Sequence, residues 1–290
     1  MNQRLLLNLL MLIVVLGLVA LVVYKPGIEA PIENAPLTTL NSEEINRIDI
    51  IRVDSALKLE RRGTTWWVTG DHPIPADQHQ IDTLLRLSNL VPVRSYPSSE
   101  LDIKQLHLEP ASVIVLLNDT ELHFGDTEPL DNLRYVRIAD RVSLINDSVQ
   151  NILQGTRIQF ASRKLLPEGA DIVGLTLPNL KLTKSEDGRW LTEPEPEHIS
   201  ADAVPKLLTA WTTTGALRVS NYQISEHSTP IRVELANGEH LQFELRQSDN
   251  ETVLARPDLG LQYHLFVSNA KGLFELEQSA AEPADAEASE

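Results

Sequence analysis

Two long stretches of this chain share the same order of apolar, polar and turn residues, and this internal repeat restricts the fold more than any other feature. The first is IDIIRVDSALKLERRGTTWWVTGDHPIPADQHQIDTLLRLSNLVPVRSY (48–96), and the second is LTLPNLKLTKSEDGRWLTEPEPEHISADAVPKLLTAWTTTGALRVSNY (175–222). With the strands that follow each stretch, the repeated unit has about 100 residues, longer than the ~20 to 50 residues of solenoid repeats. The repeat therefore predicts two duplicated domains.

Each unit combines strand and helix patterns. Period-two alternation in RIDIIRV, SVIVLL and RYVRI predicts strands, and the NDTE after SVIVLL predicts a hairpin turn. Apolar residues at helical spacing in 77–90 predict one amphipathic helix, whose counterpart contains Leu207 and Trp211. The predicted fold class is α+β, with an N-terminal transmembrane helix followed by two tandem, duplicated units of antiparallel strands with one main helix each.

The N-terminal segment Leu5–Tyr24 is almost entirely apolar. A helix of about 20 apolar residues spans the bilayer core, whereas the apolar region of a cleaved signal peptide usually has ~7 to 15 residues and ends in small residues. We therefore expect an uncleaved anchor in the inner membrane. Arg4 precedes the run, and Lys25 after it is followed by acidic residues, so the positive-inside rule predicts a cytoplasmic N-terminus and a periplasmic bulk.

The prolines of PGIEAPIENAPLTTLN predict an extended tether, and the Ala- and Glu-rich C-terminus lacks the large apolar residues that a core needs. The predicted organisation is a cytoplasmic tip and anchor (1–24), a tether (25–41), a first α+β unit (42–155), a connector (156–169), a second α+β unit (170–277) and a disordered acidic tail (278–290).

Composition excludes several kinds of site. The net charge of −16 argues against binding to nucleic acid, which requires clusters of Lys and Arg. The chain has no cysteine, which fits an oxidising compartment and removes thiolate metal sites. Its 8 histidines do not have the spacing of metal ligands, and no phosphate-binding glycine loop occurs. The sequence predicts no metal and no cofactor.

Catalytic motifs are also missing. There is no GxSxG or SxxK motif, so a Ser-His-acid set would have to be assembled from distant parts of the chain. With 41 acidic residues, pairs of carboxylates cannot be singled out. The sequence therefore predicts no enzymatic activity, with a hydrolase of unrecognised site as a weaker alternative.

Two segments resemble an uncharacterised bacterial family, a domain of unknown function encoded near gliding-motility-type ABC transporter genes. They are FASRKLLPEGADIVGLTL (160–177) and LHLEPASVIVLLNDTELHFGD (106–126), and the resemblance extends from Ser42 to about Leu276. It implies a membrane-tethered extracytoplasmic accessory protein, a scaffold beside an ABC-type permease complex. The alternative is a tethered periplasmic module that binds a glycan or another ligand.

The paired tryptophans of GTTWWVTG provide the only candidate contact residue. Matching Trp67-Val68-Thr69 with Trp190-Leu191-Thr192 makes Trp67 the repeated, core-filling residue. Adjacent strand residues point to opposite faces of a sheet. Trp66, which this alignment matches with Arg189, is therefore expected on the outer face as a candidate partner contact.

Overall fold

A computed structural model describes residues 11–17, 35–146, 148–195 and 199–277, and its main elements are two antiparallel sheets. The first sheet has nine strands in the order β4-β3-β2-β1-β6-β7-β8-β9-β5. These strands are β1 (Arg47–Arg52), β2 (Ala56–Arg62), β3 (Thr65–Val68), β4 (Ile74–Pro75), β5 (Arg94–Pro97), β6 (Val113–Leu117), β7 (Thr120–Thr127), β8 (Leu133–Ile138) and β9 (Arg141–Asn146).

The second sheet has eight strands in the order β12-β11-β10-β14-β15-β16-β17-β13. They are β10 (Ile172–Leu177), β11 (Leu180–Lys184), β12 (Trp190–Glu193), β13 (Arg218–Asn221), β14 (Thr229–Leu235), β15 (His240–Gln247), β16 (Thr252–Arg256) and β17 (Leu261–Leu265). The helices outside the N-terminal segment are α1 (Gln78–Leu85), α2 (Gln150–Leu153), α3 (Ala203–Thr213) and α4 (Val267–Phe274).

The two sheets repeat one plan strand for strand. In each, a three-stranded meander precedes a helix, an edge strand and a four-stranded meander, so that β1 corresponds to β10, β5 to β13 and β9 to β17. The first sheet has one further described strand, β4, beside β3. Two antiparallel sheets with few helices confirm the predicted α+β class.

Turn residues close the predicted hairpins. Asn118 adopts a left-handed φ of 52° between β6 and β7, and its side-chain oxygen accepts hydrogen bonds from the main-chain N–H groups of Asn46 and Arg47 at 3.0 and 3.1 Å. Between β14 and β15, Gly238 takes the positive φ that the turn requires. The hairpin at Asn118 is the one predicted from NDTE.

A glycine in β7 allows the chain to cross the first sheet. The segment between β5 and β6 returns from the edge of the sheet to its centre, and Asp126 donates its N–H to the Leu106 carbonyl at 3.0 Å. A Cβ on Gly125 would collide with that carbonyl oxygen, so no other residue type fits at this position. This close approach accounts for the glycine in LHFGD.

One continuous cluster of buried apolar residues includes both sheets and the helices. Ile81 and Leu84 of α1 are buried in it, as are Leu207 and Trp211 of α3. The Trp211 indole donates to the Leu273 carbonyl of α4 at 2.9 Å, so this large buried ring keeps its polar atom satisfied.

The predicted connector joins the two units by main-chain hydrogen bonds. Towards the first unit, Asp77 donates to Phe160 at 2.7 Å and Ser162 donates to Pro75 at 2.8 Å. Towards the second unit, Ala216 donates to Arg163 at 2.8 Å. Because Ala216 leads into β13, the connector links β4 at one edge of the first sheet to β13 at one edge of the second.

The folded part begins earlier than the predicted tether boundary at Ser42. Leu37 is buried, it donates its N–H to the Leu90 carbonyl at 2.8 Å, and Arg141 donates to its carbonyl at 3.0 Å. The tether prediction rests on the three prolines of 26–41 and on the lack of periodicity there, and a single apolar residue after Pro36 gives no signal against it. The domain boundaries otherwise remain a prediction.

The predicted anchor and the predicted acidic tail lie mostly outside the described residues. Residues 11–17, inside the predicted anchor, are helical with exposed side chains, and the rest of Leu5–Tyr24 lies outside the described residues, as does the tail 278–290. Among the described residues, no helix is long and apolar enough to cross a membrane.

Candidate functional site

Trp66 does not lie on the outer face, and this corrects the expectation from the sequence. Its side chain is 3% exposed and belongs to the core, whereas Trp67 is half-buried. The Arg62 guanidinium lies over the Trp67 ring, 5.6 Å from its centre. A buried side chain offers no area to a partner, so Trp66 is not a contact residue.

Strand pairing explains the error. Val68 lies opposite Leu59 in the first sheet, and Thr192 lies opposite Leu182 at the corresponding place in the second. Counting back two residues from each makes Trp66 the structural equivalent of Trp190. The alignment from sequence was therefore one residue out of register, and a shift of one residue exchanges the two faces of a strand.

Most of the described histidines do not form a site. His72, His79 and His240 are exposed. His123 is half-buried with its ring 2.9 Å from the Glu121 carboxylate. No group of three or more His, Asp or Glu side chains in the described part of the chain is placed to hold a metal ion.

His264 is the exception, and it is the centre of the candidate site. It lies on β17, is 5% exposed, and uses both ring nitrogens. Nδ1 is 2.8 Å from Glu251 Oε1, and Nε2 is 2.8 Å from Ser220 Oγ. A serine, a histidine and a carboxylate are thus connected in the order found in serine hydrolases.

Neighbouring strands position the three side chains. Ser220 lies on β13 and His264 on β17, which pair directly, while Glu251 immediately precedes β16 on the other side of β17. Ser220 lies on the outermost described strand of this sheet and is half-buried. The site is therefore at an edge of the second sheet, on the face opposite the core residue Tyr263.

Arg218 completes the carboxylate end of the cluster. Its guanidinium nitrogen lies 3.0 Å from Glu251 Oε1 and 2.8 Å from His264 Nδ1. Burial acts to raise the pKa of Glu251, but hydrogen bonds from His264 and Arg218 and the charge of Arg218 outweigh burial and hold the pKa below its ordinary value. Glu251 is therefore a carboxylate at neutral pH.

Gln262 borders the serine end. Its Oε1 accepts from Arg246 at 2.6 Å and from the Gln223 N–H at 3.3 Å. Since both contacts are donors, Oε1 is the acceptor and the other end of the amide is its NH₂ group. That nitrogen lies 3.3 Å from His264 Nε2, the ring nitrogen that the Ser220 hydroxyl also contacts.

The first unit has an arginine–carboxylate ion pair at the same place in the fold, but it has no histidine at the position of His264. Arg94 corresponds to Arg218, because each starts its edge strand, and it pairs with Glu128 and Asp131 at 2.8 Å. Leu144 stands in the place of His264, opposite the arginine. The ion pair between edge strand and hairpin thus belongs to the repeated fold, whereas the histidine does not.

Sequence reasoning missed this set because its members are far apart in the chain and match no motif. One difference between the two repeats could have indicated the site. Gln262 and His264 occupy positions in LQYHL where the corresponding strand RVSLIN has Val142 and Leu144. Polar residues at two positions that are apolar in the other unit mark a local difference between the copies.

A groove lies beside α3 and α4 in the second unit. Its volume is about 830 Å³. Its lining combines apolar side chains with two lysines and includes Leu180, Ile199, Leu207, Phe274, Lys206 and Lys271. Lys206 is paired with Asp202 at 2.9 Å and with Glu277 at 2.5 Å.

Comparison with known proteins identifies the family. Residues 66–230, more than half of the chain, match the family described as a domain of unknown function (DUF4340), and the chain belongs to that family. The match runs from β3 through the connector to the start of β14. No curated protein and no solved structure matches the chain.

Proposed function

We propose that this chain is a membrane-tethered periplasmic accessory protein, a scaffold that partners an ABC-type transport complex in the inner membrane. The apolar run Leu5–Tyr24 supports a single-pass anchor with a cytoplasmic N-terminus, and the absence of cysteine fits a periplasmic fold. The proposed partner follows from the resemblance of 106–126 and 160–177 to the family encoded beside such transporters.

The observation that carries the proposal is the small number of residues between the predicted anchor and the described fold. Eleven residues (25–35) separate Tyr24 from Pro36, whose carbonyl accepts from Arg141 at 3.0 Å. A chain of that length reaches at most about 40 Å. The part of the first unit that binds Leu37 would therefore stay close to the bilayer and to any membrane complex.

Exposed apolar side chains lie beside this attachment point. Leu90 accepts the Leu37 N–H, and Val91 and Val93 follow it with half of their surface exposed. The hairpin loop that carries Leu130, 83% exposed, is held next to Val93 by the ion pairs of Arg94. We call Val91, Val93 and Leu130 the tether-side patch. Grouped exposed apolar residues are typical of contact surfaces.

The test is purification of the tagged full chain from native membranes in mild detergent. We expect transporter subunits to co-purify with the wild type and to be lost when Val91, Val93 and Leu130 are replaced by serine. Val53→Ser is the matched control, because Val53 is 86% exposed but lies at the turn between β1 and β2. Equal recovery with both variants would remove the patch from the proposal.

The groove beside α3 and α4 favours the alternative, a tethered module that binds a glycan or another ligand. Its volume of about 830 Å³ lies within the ~300 to 1,000 Å³ of ligand sites. If the tagged protein is recovered alone while it binds isolated cell-wall glycan, the alternative replaces the accessory role. Loss of glycan binding in Lys271→Ala would locate that ligand in the groove.

A further inference from the structure

We propose that Ser220 is a nucleophile activated by His264 and Glu251, and that it attacks carboxylic esters. This proposal does not depend on the accessory role, because it concerns the chemistry of one edge of the second sheet. It rests on the contacts of both ring nitrogens of a buried histidine, on the orientation of one amide, and on a difference between the two units.

The proposal requires a hydrogen on His264 Nδ1. This nitrogen lies 2.8 Å from Glu251 Oε1, which can only accept, and 2.8 Å from an Arg218 nitrogen, which can only donate. We place the hydrogen on Nδ1, donated to the carboxylate, because the Arg218 nitrogen has that same oxygen as its acceptor. The Arg218 guanidinium directs an N–H to the same oxygen at 3.0 Å. Nε2 is then an acceptor, 2.8 Å from Ser220 Oγ, which is the tautomer that a general base requires.

Gln262 supplies a hydrogen-bond donor for the carbonyl oxygen of the ester, which becomes negatively charged when the serine attacks. Its Oε1 is occupied by Arg246 and by the Gln223 N–H, so its NH₂ group is fixed beside Nε2, the ring nitrogen that the serine hydroxyl also contacts. Side-chain amides act as oxyanion donors in acyl transfer. Because a single such donor is present in the described cluster, an ester is the expected substrate class, since an alkoxide leaves more readily than an amine.

The proposed reaction balances with water as its second reactant. Ser220 Oγ bonds to the ester carbonyl carbon while His264 Nε2 takes the hydroxyl proton, and the carbonyl oxygen becomes an oxyanion beside Gln262. The carbon–oxygen bond to the alcohol then breaks, and His264 returns the proton to the leaving oxygen. Water, deprotonated by the same nitrogen, then bonds to the acyl carbon, the bond from that carbon to Ser220 Oγ breaks, and His264 returns the proton to Oγ, which releases the acid and restores the enzyme.

The first unit shows that the fold does not require these residue types. With the same strand pairing it has Leu144 opposite Arg94, and its edge strand contains Ser95, whose hydroxyl lies 2.9 Å from Ser143 Oγ. Tyr96 holds the place of Ser220, and Ser95 lies on the other face of its strand. Ser95 is therefore an unactivated serine of the same fold, and we expect it to stay unreactive.

The test is labelling of the purified full chain with an alkyl fluorophosphonate, in which the serine oxygen displaces fluoride from phosphorus. We expect mass spectrometry to locate the label on Ser220 and not on Ser95. His264→Gln should lower the labelling rate by about 10²- to 10⁴-fold, the usual contribution of a general base. Hydrolysis of 4-nitrophenyl butyrate should fall in parallel and disappear in Ser220→Ala.

Thermal unfolding shows whether each variant is folded, so that a loss of labelling can be assigned to the replaced side chain. If His264→Gln does not fold, Glu251→Gln replaces it, because an amide at this partly exposed position removes the charge and retains the shape. An unlabelled Ser220 in folded wild type overturns the proposal. Labelling at the same rate in a folded His264→Gln or Glu251→Gln variant overturns it as well, since the serine would then react without activation.

Discussion

At the scale of single residues, Trp66 and Trp67 show how one step along a strand decides burial. The sequence match with Trp190 is real, but two adjacent tryptophans offer two registers, and only the pairing of Val68 with Leu59 selects between them. Trp66 fills the core, and Trp67 packs on the outer face under Arg62. The repeat alignment correctly predicted that the two tryptophans point to opposite faces of a strand, and it assigned the two faces the wrong way round.

We expect Trp66→Ala to lower the free energy of unfolding by about 3–5 kcal/mol, as truncation of a large core side chain does. Trp67→Ala should cost much less, because its ring is half-exposed and its cation–π contact contributes only about 0.5–1 kcal/mol. Denaturant unfolding of the two purified variants measures the difference. A larger loss for Trp67→Ala would contradict the pairing register of β3 with β2.

Tyr263 makes stability sensitive to alkaline pH. Burial raises its pKa from the usual 10.0 to about 12. A raised pKa means that the unfolded chain releases this proton first, so the stabilising contribution is complete below pH 10.0 and is lost as pH rises towards about 12. Between pH 8 and 11 the wild type should lose more stability than Tyr263→Phe. Equal losses, measured by denaturant unfolding, would contradict this assignment.

At the scale of elements, the connector is a structural part of both units. Its Ser162 N–H donates to the carbonyl of Pro75 in β4, and its Arg163 carbonyl accepts from the N–H of Ala216 ahead of β13. Phe160, Leu165 and Leu166 are buried in the common core. The aromatic, basic and Leu-Leu-Pro pattern that suggested the family thus corresponds to a segment that holds two sheets together.

Ser162→Pro removes one of these hydrogen bonds, because proline has no N–H. We expect a loss of at least about 1 kcal/mol and less cooperative unfolding, with faster hydrogen exchange in β4. Ser162→Ala is the control, because it keeps the N–H and loses only the hydroxyl bond to the Lys164 N–H. Identical unfolding of the two variants would show that the main-chain bond does not couple the units.

Elements with strong local signals were predictable, and those defined by distant pairing were not. The hairpin at Asn118 and the helix that buries Ile81 follow from turn chemistry and spacing. β13 is the edge strand and pairs with β17, the last strand of the meander that follows it, and no local sequence pattern indicates this pairing. Because Ser220 and His264 meet only through that pairing, the site could not be predicted from the sequence.

At the scale of the whole molecule, duplication gives two copies of one fold with different surfaces. The first unit has the attachment of Leu37 and the tether-side patch, and the second has the His264 cluster and the groove. The family match extends across both units and the connector between them. We propose that the first copy holds the protein at the membrane complex, while the second carries the cluster of Ser220, His264 and Glu251.

The most direct test of this account is the side of the membrane on which the fold lies. The chain has no cysteine, so a single Val53→Cys gives one thiol at an exposed turn, and Asn2→Cys gives one before the anchor. In intact spheroplasts, a membrane-impermeant maleimide should label Val53→Cys in the membrane fraction and leave Asn2→Cys unlabelled until lysis. Labelling of Val53→Cys only after lysis, or its recovery outside the membrane fraction, would contradict the account.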